Sequence, residues 1–176
     1  MRGVTKIFGP DPQSALALLR SGKSKTEVQA ETNHVVALDD VSLDIEKGQI
    51  FVVMGLSGSG KSTLIRHVNR LIDPTAGEIV VDGEDVLQMS LEQLRTFRRT
   101  SIAMVFQKFG LLPHRSVLHN VAYGLEIRGV GKAERLEKAA HWIEVVGLSG
   151  YEKSRPRQLS GGQQQRVGLA RALAMD

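Results

Sequence analysis

A lysine set in a run of glycines is the part of this chain best suited to chemistry. Gly55-Leu56-Ser57-Gly58-Ser59-Gly60-Lys61-Ser62-Thr63 has the spacing of a phosphate-binding loop. A triphosphate is polyanionic and heavily hydrated, so holding it takes many donors at close range. Gly55, Gly58 and Gly60 let backbone N–H groups turn inward, with Ser57 and Ser59 between them. Lys61 is placed to reach the β- and γ-phosphates, and the Ser62 hydroxyl to ligate Mg²⁺. Thr63 follows on the α-phosphate side. A second stretch, Leu159-Ser160-Gly161-Gly162-Gln163, fits a capping box, with Ser160 as cap and Gln163 at the third helical position. That is a complete structural account by itself. A functional account adds that Gly161 and Gly162 strip side chains from a helix N-terminus, leaving N–H groups and a hydroxyl to face an anion.

The elements around these residues must present them. Gln49 to Met54 is apolar on both faces, as a central parallel strand is, and the loop follows it directly. A helix from about Lys61 to Leu71 stops before Pro74 and aims its positive end at the phosphates. Upstream, Val4 to Phe8 reads as a short strand. Asp11-Pro12 caps a helix carrying Leu16 and Leu19, and Ser24-Lys25-Thr26-Glu27 opens another; residues 10–33 thus form an insertion between strands. Val41, Leu43 and Ile45 alternate with polar residues as a half-buried strand. Further strands are expected at Glu78–Asp82 and Ser101–Phe106, with a polar helix over Leu91–Arg99. Beyond Pro113 the pattern is helical: Val117, Val121 and Leu125 share one face, and Leu136, Ala139, Ala140, Ile143 and Val146 make a second stripe ended by Gly147. Arg155-Pro156 begins a loop, and Ser160 caps a last long helix.

With 176 residues, 41% hydrophobic and 24% charged, the chain reads as a globular domain with a real core. No apolar run is long enough to span a bilayer, and Met1-Arg2-Gly3 leads into no signal-peptide segment. Zero cysteines excludes disulfides and thiolate-held metal. The net charge of +4 comes from scattered residues, apart from Arg95, Arg98 and Arg99, with no aromatic stripe; nucleic acid is not expected as a partner.

The two phosphate motifs in this order, with Gln165-Arg166-Val167 and Ala170-Arg171-Ala172-Leu173 after the second, resemble the ATP-binding cassette (ABC) family; Gln107 resembles its Q-loop glutamine. The resemblance implies an α/β fold: a RecA-like P-loop NTPase core, ABC nucleotide-binding domain, with an α-helical subdomain. It divides the chain into residues 1–34 (strand plus helical insertion), 35–111 with 164–176 (core) and 112–163 (helical subdomain). It implies ATP and Mg²⁺ as cofactors, Lys61, Gln107 and Ser160 as the groups acting on phosphate, and Ser62 and Gln107 as the Mg²⁺ residues. Ser160, Gly161, Gly162 and Gln163 would act in trans, on ATP held by a second copy in a head-to-tail homodimer. Gln107 would touch Mg²⁺ or the attacking water and relay nucleotide state to a transmembrane permease, with Lys108 to Asn120 facing that permease.

Narrower features resemble the ATPases of glycine betaine/proline (quaternary amine) importers: Gly55-Leu56-Ser57, Asn69-Arg70-Leu71-Ile72 with Pro74-Thr75, Met104-Val105-Phe106-Gln107 with Pro113-His114, Val167-Gly168-Leu169, and the insertion after Lys6-Ile7-Phe8-Gly9. Gln163 departs from that subfamily, which often carries methionine there. Import of another solute (an amino acid or a sulfonate) and a non-transport ABC role stand as alternatives. The resemblance further implies a peripheral place on the cytoplasmic face of the inner membrane and an indirect partner, a periplasmic or lipid-anchored substrate-binding protein. Adenine stacks on an aromatic residue in this family. Phe8 fits if the insertion loops out, and His34 is the other option; as ordinary residues, Phe8 would be core and His34 surface. Family members continue with a strand ending in Asp-Glu and then a switch histidine. Leu173 to Asp176 instead prolongs the last helix, with Asp176 in the turn after it. The 176 residues are therefore expected to bind nucleotide weakly without turning over ATP, to expose apolar faces beside Ile50–Met54, and to belong to a longer transport ATPase.

Overall fold

The computed structural model describes residues 1–107 and 109–175. Lys108, the expected start of the permease-facing segment, and Asp176, the expected terminal turn, lie outside the described residues. The chain divides into two compact units, Met1–Leu91 and Glu92–Asp176.

In the first unit, strand β1 (Arg2–Phe8) is followed by helices α1 (Pro12–Arg20) and α2 (Lys25–Thr32) and by strand β2 (Val35–Val41). The starts of both helices are written in their caps. The Asp11 carboxylate accepts from the Ser14 amide with Pro12 at the first position, and Ser24 and Glu27 complete a capping box. β2 returns antiparallel to β1, pairing Val36 with Ile7 and Val35 with Phe8, so the insertion is the loop of a hairpin. Its apolar faces close on the sheet through Ile7, Ala15, Leu16 and Val28. Strand β3 (Ala76–Glu78) flanks β1 on the other side, giving the order β2-β1-β3. Strands β4 (Val80–Val81) and β5 (Glu84–Asp85) form a hairpin across Asp82-Gly83, where both residues have positive φ, as a two-residue turn demands.

Helix α3 (Lys61–Val68) ends three residues short of the expected Leu71. Asn69 caps it, its side-chain oxygen accepts from the Leu71 amide at 3.2 Å, and Arg70 turns at φ 49°. The amide side chain offers the backbone an alternative to the next helical turn.

The strand expectations need four corrections. The expected strand Glu78–Asp82 is split: Glu78 ends β3, Val80–Val81 is β4 in a separate hairpin, and Asp82 is in its turn. Only Val41 of Val41–Ile45 lies in β2; Ser42 to Asp44 instead run beside the N-terminus, joined by Met1 N to Leu43 O at 2.9 Å and Arg2 to Asp44 at 2.8 Å. Gln49–Met54 and Ser101–Phe106 form no strand. A strand exists only as part of a ladder, and among the described residues nothing pairs with either segment. Ile50 is accordingly 91% and Met54 86% exposed, although their pattern is that of buried residues.

The second unit holds α4 from Glu92 onward (the helix is Leu91–Thr100), α5 (Val117–Val121), α6 (Tyr123–Ile127), α7 (Lys132–Val145) and α8 (Gly161–Leu173). Val117, Val121 and Leu125 are all buried, but on two short helices that meet at Ala122 rather than on one. They pack with Ile143, Val167 and Ala170 into one core. Ala140 is exposed: one residue past buried Ala139, it points about 100° around the helix. Pro156–Gln158 forms a 3-10 turn in the expected loop. The boundaries read from sequence at 112 and 163 both fall inside this unit, and α8 packs on α5 and α7.

Candidate functional site

The glycine loop is exposed and turns through the Ser59 amide, which donates to the Leu56 carbonyl at 3.2 Å. Gly60 is the N-cap of α3 in the left-handed conformation. A Cβ there would lie 2.6 Å from the Ala37 carbonyl of β2, so only glycine seats the helix start against the sheet. The cap supplies no side-chain acceptor, and the first turn holds no acidic residue. The opening N–H groups of α3 therefore keep their donors and their share of the helix dipole for an external anion. Lys61 Nζ donates to Gly55 O at 2.7 Å, Leu56 O at 2.6 Å and Ser59 Oγ at 3.2 Å. These bonds hold the ammonium over the mouth of the loop. Ser62 is exposed, and its hydroxyl has no hydrogen-bond partner among the described residues.

On its inner face α3 buries Leu64 and His67. His67 Nδ1 lies 2.6 Å from the Thr63 carbonyl and Nε2 has no partner among the described residues. Burial holds this imidazole below its ordinary value, so it sits neutral under the loop.

Phe8 ends β1, 41% exposed, with Lys6 Nζ 5.1 Å from its ring centroid. His34, read as a surface residue or an alternative stacking group, is neither; it is 4% exposed and bonded through both ring nitrogens. Its surroundings rule out stacking, because β2 and the insertion enclose it.

In the second unit, Ser160 caps α8: its Oγ accepts from the Gln163 amide at 3.3 Å, and Gln163 Oε1 accepts from the Ser160 amide at 2.8 Å. The Gln163 oxygen thus serves the cap itself, while Gly161 and Gly162 stand bare and exposed at the helix start. Gln107 is exposed in a turn closed by Phe109 N to Phe106 O at 2.9 Å. Gln107, Ser160, Gly162, Gln163 and Arg166 line one groove of about 600 Å³. Two sets of contacts that sequence reading missed hold the segment after the Gln107 turn. Arg171 on α8 donates to Gly110 O and Phe109 O. Buried Asn120 binds Leu112 through both backbone groups and caps Arg115 and Ser116 carbonyls. Neither has a spacing signal; a lone Asn or Arg in a helix announces nothing.

An uncapped helix start under a lysine-bridged glycine loop, and a second helix start stripped by glycines, are arrangements that take phosphate. Comparison with known proteins gives the family. The family model described as ABC transporter matches residues 38–176. The glycine betaine transport ATP-binding protein OpuAA of Bacillus subtilis is 54% identical over 98% of this chain and 41% of its own length. The glycine betaine/proline betaine transport system ATP-binding protein ProV of Escherichia coli is 50% identical over 100% of this chain and 44% of its own. The chain thus spans less than half the length of these curated relatives. Among solved structures, the ATP-binding cassette MJ0796, a dimer in a post-hydrolysis state bound to ADP and Pi, aligns with TM-score 0.81 at 33% identity, covering 98% of this chain and 68% of that one. The fold is therefore α/β, a P-loop nucleotide-binding domain represented in part, and the chain belongs to the ABC transporter family.

Proposed function

We propose that this chain is the nucleotide-binding portion of an ATP-hydrolysing subunit that energises import of glycine betaine, proline or related quaternary amines. The observation that carries the nucleotide reading is the loop itself: Lys61 bridged across Gly55, Leu56 and Ser59 above the free N–H groups of α3. Gly55 to Thr63 bind the phosphates through backbone donors, and Lys61 moves from the loop carbonyls to the β- and γ-phosphates. The unpartnered Ser62 hydroxyl fits a Mg²⁺ carried in on the nucleotide. Among the described residues no cluster of acidic or histidine side chains would hold the cation alone. When bound, that ion would neutralise charge on the β- and γ-oxygens.

Ser160, with Gly161 and Gly162, meets the nucleotide of a second copy, and Gln107 beside it senses Mg²⁺ or the attacking water. Among the described residues no helix is long and apolar enough to cross a membrane. The permease holds the complex at the cytoplasmic face of the inner membrane, and a binding protein delivers the solute to it. The solute assignment is supported by the betaine relatives and by no side chain of this chain.

Titration calorimetry of the 176-residue chain with MgATP tests nucleotide binding. Saturable binding that weakens about ten- to a hundredfold in Lys61→Ala is expected, and equal binding by both proteins overturns the reading. For the solute, the full-length gene is placed in cells lacking betaine uptake. Restored labelled-betaine import under osmotic stress supports the assignment, and restored import of another solute alone replaces it.

A further inference from the structure

His34 closes the insertion of residues 10–33 at the edge of the sheet. Its Nδ1 faces the Thr32 carbonyl at 2.9 Å, an acceptor, which assigns the proton to Nδ1. Nε2 is then free to accept from the Asp11 amide at 3.1 Å. One ring thus ties the residue that caps α1 to the end of α2. The ring also lies against Gly9, where a Cβ would come within 2.1 Å of His34 Cδ2. Gly9 follows Phe8, and Val35, next to His34, is the strand partner of Phe8. The ring therefore locks both sequence neighbours of this strand pair.

The same edge approaches the phosphate loop. Gly60, the cap of α3, abuts the Ala37 carbonyl, and Ala37 is two residues from Val35 on β2. Phe8 has Lys6 over one ring face, and Lys6 is held in place by the Asp73 carbonyl at 2.8 Å. The ring is still 41% exposed. A purine whose phosphates lie on α3 has this ring as an aromatic platform within the first unit. The ammonium behind it withdraws electron density from the stack.

We propose that His34 is a positioning residue for the base of the nucleotide: it locks the insertion against Gly9 so that Phe8 presents a fixed open face to adenine. This rests on the reading that Gly55 to Thr63 hold the triphosphate, and it adds a determinant of base recognition in a residue that does not touch the base.

The test separates base from phosphate. The 176-residue chain is titrated with MgATP and, separately, with magnesium tripolyphosphate, which lacks base and sugar. His34→Ala is expected to weaken ATP binding about five- to tenfold, the size of one aromatic stacking contact, while leaving tripolyphosphate within about twofold. Phe8→Ala should give the same pattern. The double variant should be no weaker than Phe8→Ala alone, because both act through one contact. Gly9→Ala displaces the ring without removing it and should copy His34→Ala. His34→Gln, which can still accept from Asp11, should recover most of the ATP preference. Equal losses for both ligands in His34→Ala and Gly9→Ala would reduce His34 to a stability role and overturn the proposal. Unchanged ATP binding in His34→Ala overturns it as well. A wild-type chain that binds tripolyphosphate as tightly as ATP overturns it while leaving the phosphate loop intact. Failure to bind tripolyphosphate at all removes the reading beneath it.

Discussion

Lys61 shows how much of the site is a matter of single atoms. Its ammonium spans two carbonyls and a hydroxyl, so the loop is held in shape by the side chain proposed to meet the phosphates. Charge-assisted hydrogen bonds of this kind contribute about 1.5–3 kcal/mol each. Lys61→Ala should lower triphosphate affinity about ten- to a hundredfold by calorimetry, with the thermal melt nearly unchanged because the side chain is not buried in the core. A melt that falls steeply would assign the lysine to folding instead. Ser62→Ala should leave affinity for metal-free ATP intact and abolish the gain that Mg²⁺ confers. The residues proposed for chemical roles stand out in sequence because glycine, lysine and serine at fixed offsets have few other reasons to occur together. His34 was legible only as a histidine; its burial depends on Gly9 and Asp11, which the hairpin brings to it.

Helices α3 and α8 present the N-terminal ends proposed to meet phosphate by opposite means. α3 begins at a glycine with no side-chain cap, so its donors stay free. α8 is capped by Ser160 and Gln163 and exposes bare backbone at Gly161 and Gly162. Removing the cap with Ser160→Ala should cost about 1 kcal/mol in urea unfolding, and Ser160→Gly only a few tenths. A Gly variant as damaging as Ala would show that the hydroxyl does more than cap. α3 carries a pH dependence of its own. Burial holds His67 below its ordinary value of 6.5. Above that value both folded and unfolded states are neutral there. Below it the unfolded chain takes up a proton that the folded chain refuses, so stability falls as pH falls. Melting temperature should drop between about pH 7.5 and 5.5, and His67→Leu, which also removes the unpartnered Nε2, should flatten that limb. An identical slope in the variant would place the acid sensitivity elsewhere.

For the whole molecule, exposure and pattern part company at Ile50 to Met54. The run reads as buried, yet Ile50 is 91% exposed, whereas Ile143 is fully buried in the helical core. In the 176-residue chain Ile143→Ala should therefore cost about 2–5 kcal/mol. Ile50→Ser should stay within about 0.5 kcal/mol and reduce self-association in sedimentation, since an exposed apolar run invites intermolecular pairing. A large loss of stability from Ile50→Ser would mean that the run is packed in solution.

Local geometry was settled by sequence alone. The caps at Asp11, Ser24 and Ser160 involve residues three apart, so their geometry is built into the chain. The same holds for the spacing from Gly55 to Thr63 and for the apolar stripe of α7. Tertiary structure decided what depends on distant partners. It left 49–54 and 101–106 without ladders, because a strand's hydrogen bonds come from another segment and no periodicity reports whether that segment is there. It ended α3 at Val68, where Asn69 and Arg70 turn the chain. It also folded the insertion back beside Phe8, joining residues more than twenty positions apart through one imidazole.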